Sequence, residues 1–295
     1  MLLALVVGLV AVPVTSASAA TYTSFRDVAA VPNANRATTT EGFAAGSRYL
    51  YSVKIKDNER AVIYRVDKSS GARKLMTNRA NGTTSVKGLW HANDMTLVTI
   101  GGRQYLYVVT MKPTGAQLVK LRLRGASYEK VGRFKLRDSA GAVVPAHAVN
   151  VVAVSPSRIK FFFASVDQFY RGTIKPGASS GTIALTAAFT VDLANPVGER
   201  LPGVTNRQGI YYDKTRSDLY VPLTGGNTSV VLVFHGVTWK TTGRRRAAAK
   251  PYFKVVSKDR LFEIEGVGLS GDRLYFNTNR PHNRDGIHVF TRFRA

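Results

Sequence analysis

The sequence contains no cysteine, and its 295 residues include only 18 acidic residues against 42 lysines and arginines. The missing cysteine excludes disulfide bonds, thiolate metal ligands and a cysteine nucleophile. The shortage of acid leaves a formal net charge of +24, which favours anionic partners through a long-range field. Anionic lipid and acidic wall polymers fit that charge. Nucleic acid fits it less well, because no recognition-helix or RNP-like pattern is present.

Helical periodicity is also missing from the sequence. No long window repeats apolar residues at positions i, i+3, i+4 and i+7, as an amphipathic helix requires. Apolar residues instead alternate over short stretches such as Tyr49–Ile55, and turn-forming Gly, Asn, Ser and Pro cluster between these stretches. The sequence therefore predicts an all-β protein.

Long apolar runs are scarce as well, and the longest is MLLALVVGLVAVPVTSASAA at residues 1–20. It ends in Ala17-Ser18-Ala19, the small-residue pattern that signal peptidase accepts. A transmembrane anchor is the alternative, but Pro13 shortens the apolar stretch below the roughly 20 residues that a span needs. We therefore predict a signal peptide over residues 1–20 and a secreted, extracellular mature chain over residues 21–295.

What the sequence does contain is a repeat. A basic residue followed by an aromatic strand occurs five times, at successive spacings of 55 to 58 residues. The anchor aromatics, meaning the aromatic residue that ends each copy, are Tyr51, Tyr107, Phe162, Tyr220 and Tyr275. A period of about 55 residues accommodates four strands with their turns, which is one propeller blade.

Five such units predict a single five-bladed β-propeller over residues 21–295, and the alternative is a pair of β-sandwiches. Two sandwiches would not impose five nearly equal spacings. Ring closure requires one blade assembled from both ends of the chain. We expect the segment Thr21–Val31 to supply the strand that completes the last blade, Leu261–Phe293, and the molecule to be a monomer.

A polar residue followed by Gly or Ala precedes each anchor aromatic by 10 to 16 residues. The five pairs are Glu41-Gly42, His91-Ala92, His147-Ala148, Gln208-Gly209 and Glu265-Gly266. The first strand of each blade lines the central channel of a propeller, where the crowded walls admit only a small residue next to the polar one. The five polar side chains are therefore predicted to form one ring around the axis.

These equivalent positions, with the strings GSRYLYSVKI, WHAND, AHAVNVVAVSP, QGIYYD and IEGVGLSGDRLY, carry a resemblance. The sequence resembles the helveticin J family of large class III bacteriocins across most of the mature chain. The resemblance implies a secreted antibacterial protein built from a repeated β unit.

The predicted ring admits three interpretations. Its imidazole and carboxylate groups could bind a cation, or Glu41 and Glu265 could serve as general acid and base. It could also be structural, with buried polar groups satisfied by one another and by water. No dedicated metal motif such as HExxH is present, so no cofactor is predicted and the metal is unknown. Asp94 could orient the imidazole of His91 or cap a turn.

The basic residues are mostly spread along exposed strand faces, and the densest patch is the triplet Arg244, Arg245 and Arg246, which we interpret as an exposed polyanion-binding loop. Two functions stay open. The first is a binding or antibacterial module that docks on anionic envelope polymers, glycans or an anionic membrane surface. The alternative is a glycan-active enzyme resembling five-bladed glycosidases. The sequence counts against this alternative, because it offers two channel carboxylates and no evident third.

Overall fold

The computed structural model describes residues 21–112, 114–198, 200–201 and 206–295. The predicted signal peptide lies outside them. Apart from one 3-10 turn at Pro281–Asn283, the regular structure of the described residues is entirely β. No helix among the described residues is long and apolar enough to cross a membrane.

In chain order, the strands of the described residues are β1 (Thr21–Tyr22), β2 (Phe25–Ala30), β3 (Thr39–Ala45), β4 (Tyr49–Lys56), β5 (Arg60–Asp67), β6 (Arg73–Leu75), β7 (Thr77–Asn78), β8 (Val86–Lys87), β9 (Asp94–Ile100), β10 (Arg103–Val109), β11 (Gln117–Arg124), β12 (Ser127–Asp138), β13 (Ala148–Val154), β14 (Ile159–Ser165), β15 (Gln168–Ile174), β16 (Ser180–Asp192), β17 (Asn206–Arg207), β18 (Tyr211–Asp213), β19 (Asp218–Gly225), β20 (Thr228–Phe234), β21 (Gly243–Arg246), β22 (Tyr252–Val256), β23 (Glu263–Ser270), β24 (Arg273–Asn279) and β25 (Gly286–Phe290).

These strands form five antiparallel blades. Blade one is β3-β4-β5-β6, blade two is β9-β10-β11-β12, and blade three is β13-β14-β15-β16. Blade four is β18-β19-β20-β22, and blade five is β23-β24-β25-β2. The innermost strands β3, β9, β13, β18 and β23 contact one another in that cyclic order, and β23 returns to β3. The predicted five-bladed β-propeller is confirmed.

The amino-terminal segment closes the ring, as the sequence predicts. Strand β2 pairs antiparallel with β25, with Phe25 opposite Phe290 and Ala30 opposite Gly286. The short β1 pairs parallel with β22 of blade four instead. The segment therefore completes blade five and also extends the neighbouring blade.

The apolar core is divided among the five junctions between blades. Each junction holds its own cluster of buried side chains, and the junction of blades five and one packs Tyr275 and Ile287 against Phe43 and Leu50. All five anchor aromatics are buried in the second strand of their blades. A fully buried Phe or Leu side chain contributes about 1.5–3 kcal/mol, so the repeated aromatic holds neighbouring blades together.

Blades two and three are additionally joined at their outer edges. The outermost strands β12 and β16 pair in parallel, from Arg133 opposite Ser180 to Asp138 opposite Leu185. The outer edge of β16 then pairs with β21 over Gly243–Arg246. The arginine triplet therefore lies in an edge strand, and its interpretation as a loop was wrong.

Candidate functional site

Three glutamates lie where the innermost strands begin, at one end of the central channel. Glu41 belongs to β3, and Glu263 and Glu265 belong to β23. All three are buried. We call these glutamates, together with His91 in the loop before β9, the acidic mouth.

Hydrogen bonds between neighbouring blades hold the repeated polar positions around one axis. The amide of Gly42 donates to the Ala92 carbonyl at 3.1 Å, and the amide of Gly209 donates to the Glu265 carbonyl at 2.8 Å. The Asn277 side chain donates to the Glu41 carbonyl at 2.6 Å. These bonds join blades one and two, four and five, and five and one.

The small residue in the repeated pair is required by space. A Cβ atom at Gly209 would lie 2.6 Å from Asp94 Oδ1, and one at Gly42 would lie 2.8 Å from the Ala92 carbonyl oxygen. At Gly266 a Cβ would lie 2.7 Å from Phe43 Cβ. The strands converge so closely that any larger residue would displace a neighbouring blade.

His91 is the most exposed member of the acidic mouth, with 35% of its side chain accessible. Its Nε2 lies 3.3 Å from Glu41 Oε2, and its Nδ1 lies 2.9 Å from Asn58 Oδ1. Burial of the ring lowers the pKa of His91. A neutral imidazole has one N–H, so when Nδ1 donates it to Asn58 Oδ1, Nε2 accepts a hydrogen bond from the protonated Glu41 carboxyl group.

Glu41 and Glu265 act on each other's ionisation. Burial raises the pKa of both carboxyl groups well above the ordinary value of 4.5, and the negative charge of Glu263 raises both further. The charge of Glu41 also raises the pKa of Glu265. Carboxylates that share a site this way do not all ionise together, so the pair retains a proton at pH values where an exposed glutamate has lost it.

Glu263 is the third acid that sequence reasoning missed. Its two oxygens accept hydrogen bonds from the Asn206 and Asn279 side chains, at 2.7 and 2.9 Å. The signal was present in Glu263-Ile264-Glu265, because alternate residues of a strand share a face. Three carboxyl groups therefore converge at the acidic mouth, where the sequence indicated two.

A buried ion pair stands beside the acidic mouth. Lys54 Nζ lies 2.7 Å from Asp285 Oδ2, and neither side chain is accessible. Thr40 Oγ1 donates to the same oxygen at 2.9 Å. The charge of Asp285 is a further cause of the raised pKa of Glu41 and Glu265.

Asp94 neither orients the imidazole of His91 nor caps a turn. It is buried, and its oxygens accept backbone hydrogen bonds from Met95 at 2.8 Å, Val149 at 2.9 Å and Ile210 at 3.0 Å. Burial nevertheless raises the pKa of the carboxyl group. Asp94 therefore ties the innermost strands of blades two, three and four together, and Asn58 and Glu41, not Asp94, contact the His91 ring.

The remaining two ring positions are buried. Burial lowers the pKa of His147 to about 4, and the nearby charge of Arg207 lowers it further. The His147 carbonyl accepts a hydrogen bond from the Asn93 side chain at 3.0 Å, which joins blades two and three. Gln208 is buried at the equivalent position of blade four.

The backbone around His91 is strained. Five non-glycine residues in this region have left-handed φ angles: Asp57 (49°), Asn58 (58°), Trp90 (52°), Ala92 (49°) and Met111 (48°). Such conformations cost on the order of 1 kcal/mol or more each and concentrate at functional sites. Lys112 Nζ lies 4.9 Å from the Trp90 ring centroid, so the loops also bring an aromatic ring and a cation beside His91.

Among the described residues, no group of three or more His, Asp or Glu side chains is arranged to hold a metal ion. The sequence predicts that the three histidines outside the repeat, His235, His282 and His288, lie at the surface or at sheet edges. His288 contradicts that, because it is buried, with Nδ1 2.8 Å from Asp27 Oδ1 and Nε2 2.9 Å from Thr278 Oγ1. It supports the closing contact of β2 with blade five.

The arginine triplet is partly committed to other contacts. Arg244 forms an ion pair with Asp192 at 3.1 Å, and Arg245 donates to the His235 carbonyl at 3.1 Å. Arg246 is exposed. The triplet is therefore a less open anion-binding surface than its sequence suggested.

No protein-family model matches the chain, and no curated protein is similar to it in sequence. Several solved structures share its fold. A glycosyl hydrolase from Bacteroides ovatus has a TM-score of 0.53 at 10% identity, with 93% of this chain and 96% of that chain covered.

A structure from the GH130 family, whose glycoside hydrolases target β-1,2-mannosidic linkages in Candida mannan, has a TM-score of 0.54 at 12% identity, covering 92% of this chain and 94% of its own. CoXyl43, a GH43 β-xylosidase/α-arabinofuranosidase from a compost microbial metagenome, has a TM-score of 0.50 at 10% identity, covering 90% and 94%. At these identities the likeness shows the fold: a five-bladed propeller similar to those of glycoside hydrolases.

Proposed function

We propose that the chain is a glycan-active protein that hydrolyses glycosidic bonds at the acidic mouth. One observation carries the proposal: Glu41 and Glu265 are buried close enough for the charge of Glu41 to raise the pKa of Glu265, and the partly exposed His91 lies beside Glu41. Glycoside hydrolysis needs one carboxylic acid that keeps its proton and one carboxylate that accepts a proton. The glycosidase alternative is thus favoured over the bacteriocin hypothesis, and the fold shared with glycoside hydrolases supports it.

In the proposed reaction, the protonated member of the Glu41 and Glu265 pair gives its proton to the leaving-group oxygen as the glycosidic C–O bond breaks. A water molecule adds to the anomeric carbon and loses its proton to an ionised carboxylate. Glu263 suits this second role, because its oxygens already accept two amide hydrogen bonds as an ionised carboxylate does. His91, at the accessible edge, is placed to contact the sugar.

The test is reducing-sugar release from a panel of neutral and acidic glycans, with binding of the same glycans measured in parallel. Glu41→Gln and Glu265→Gln should each lower hydrolysis at least 100-fold, because general acid–base catalysis contributes about 10²–10⁴-fold, while binding persists. Asp272→Asn, at an exposed carboxylate, is the matched control and should keep full activity. Binding without any bond cleavage by the wild type would overturn the enzyme proposal and leave a glycan-binding protein.

A second candidate function is attachment to an anionic bacterial envelope, with antibacterial activity as the helveticin J resemblance implies. It is favoured by the charge distribution, since several of the 18 acidic residues are buried, among them Glu41, Asp94, Glu263, Glu265 and Asp285. The outer surface is therefore more basic than the total of +24 alone suggests. Secretion, which this function requires, rests on the sequence of residues 1–20.

Retention of the protein on isolated cell walls, measured from low to high salt, tests this attachment. Binding should fall steeply as salt rises, because charges are screened beyond about 8 Å at 0.15 M. A growth-inhibition assay on the same cells tests killing separately. Salt-independent retention would contradict attachment by charge.

A further inference from the structure

A basic groove runs between blades one and two at the end of the blades remote from the acidic mouth. Its location follows from the chain direction: β9 begins at the acidic mouth, and Gly102, in the turn after β9, lines the groove. The groove has a volume of about 450 Å³. Its charged and aromatic lining residues are Tyr49, Tyr51, Arg65, Arg103, Arg122 and Arg124.

The cations of the basic groove are only partly compensated, because Glu129 interacts with Arg122 and Arg124 alone among them. No Asp or Glu of the described chain is among its lining residues. Arg103 and Arg124 are exposed, and neither has an ion-pair partner within the described residues. Arg122 is paired with Glu129 at 2.5 Å, but its buried Nε has no hydrogen-bond partner. The exposed guanidinium groups of Arg103 and Arg124 therefore offer the donors that an anionic ligand can accept.

The groove is also partly organised in advance. The Arg65 guanidinium lies 4.2 Å from the Tyr49 ring centroid, and the Arg48 guanidinium lies 5.0 Å from it. An adjoining cavity of about 290 Å³ shares Tyr49 and Arg65 and adds the cations Arg73 and Lys74, together with Asp67, whose carboxylate is paired with Arg48 at 3.2 Å. The two cavities therefore present a connected series of cations, which suits a chain of repeated negative charges better than a single ion.

We propose that the basic groove binds an anionic glycan chain, whose carboxylate or phosphate groups pair with Arg65, Arg103 and Arg124. The proposal does not depend on hydrolysis at the acidic mouth, since the groove lies at the other end of the blades. Arginine pairs with carboxylate and phosphate in a two-pronged geometry. A single-stranded nucleic acid fits less well, because it needs open aromatic faces for its bases, and guanidinium groups already cover the Tyr49 ring.

Two double variants, each of which loses two positive charges, distinguish binding in the groove from attraction by the overall positive charge of the protein. Arg103→Gln/Arg124→Gln removes two exposed cations from the groove, and the control variant Arg158→Gln/Arg292→Gln removes two exposed cations from blade three and from the segment after β25. The probes are fluorescent polygalacturonate for carboxylate, poly(glycerol phosphate) for phosphate, dextran as a neutral glycan and a 20-nucleotide deoxythymidine strand. Affinity is measured by fluorescence anisotropy or competition, and thermal unfolding checks that each variant is folded.

The groove variant should lose at least tenfold in affinity for one or both anionic glycans, while the control variant loses less than threefold. The stronger of the two glycan probes identifies the charged group, and dextran should not bind. Equal losses in the two variants would overturn the proposal, because the field alone would then explain binding. Tighter, groove-dependent binding of the DNA strand would also overturn it, in favour of a nucleic-acid site. If neither anionic glycan binds the wild type, the proposal is wrong.

Discussion

Blades one and two contribute to both the acidic mouth and the basic groove, yet these two regions are opposite in charge and in environment. The carboxylates of the acidic mouth are buried, where charges interact strongly, while Arg103 and Arg124 of the groove are exposed to water and salt. The sign of a local site is therefore independent of the net charge of the protein. The protonation of the acidic mouth should therefore depend on pH, and the binding of an anionic ligand in the groove should depend on salt concentration.

The strongest test of the buried region is the ion pair of Lys54 with Asp285. Lys54→Met should lower the free energy of unfolding by about 3–5 kcal/mol, because it leaves the Asp285 carboxylate buried without its counterion. Lys56→Met, two residues further along the same strand and partly exposed, should change it by less than about 0.5 kcal/mol. Urea unfolding of both variants makes the comparison, and equal effects would mean that the burial of Lys54 does not matter.

His147 should make the protein sensitive to acid. Its folded-state pKa of about 4 lies below the ordinary 6.5, so the unfolded chain takes up a proton at a higher pH than the folded protein does. Stability is therefore lost as pH falls from 6.5 towards 4, by on the order of 3 kcal/mol from this residue. His147→Gln should remove that part of the loss in urea unfolding at pH 7 and pH 4.5. Parallel pH profiles for the two proteins would contradict it.

The carboxylate pair should have the opposite dependence on pH. A raised folded-state pKa means that stability is present at low pH and is lost as pH rises from the ordinary 4.5 to the raised value, because the unfolded chain releases a proton that the folded protein retains. Glu265→Gln stays neutral, so its stability relative to the wild type should improve by about 1 kcal/mol or more between pH 4.5 and pH 8. Thermal unfolding across this range measures the difference. A difference that is constant with pH would show that Glu265 does not ionise unfavourably.

The smallest effect is expected at the protein surface. Replacing Arg244, Arg245 and Arg246 together with Ser should change the free energy of unfolding by less than about 0.5 kcal/mol, because β21 pairs with β16 through its backbone. The same variant should bind cell walls more weakly at low salt than the wild type does. Unchanged wall binding would show that these arginines serve only to solvate the sheet edge.

The repeat was the most informative feature of the sequence for this fold. Each anchor aromatic marked a second strand, and the Gly or Ala of each repeated pair marked the crowded channel. Glu263 could have been found from its alternation with Glu265. The contact of Asp94 with Val149 and Ile210 could not, because those residues lie 55 and 116 positions further along the chain. The burial of His288 depends in the same way on Asp27 at the opposite end of the chain.

The sequence by itself determined the number of blades, the strand that closes them and the excess of positive charge, because these depend on period, alternation and composition. Only the tertiary structure decided which charges are buried together and which stay exposed. Lys54 and Asp285, 231 positions apart, are joined when blades five and one meet, whereas Arg65 and Arg103 line one groove because blades one and two are neighbours in the ring. Closure of the ring brings these residues together, and no local sequence pattern predicts which of them will meet.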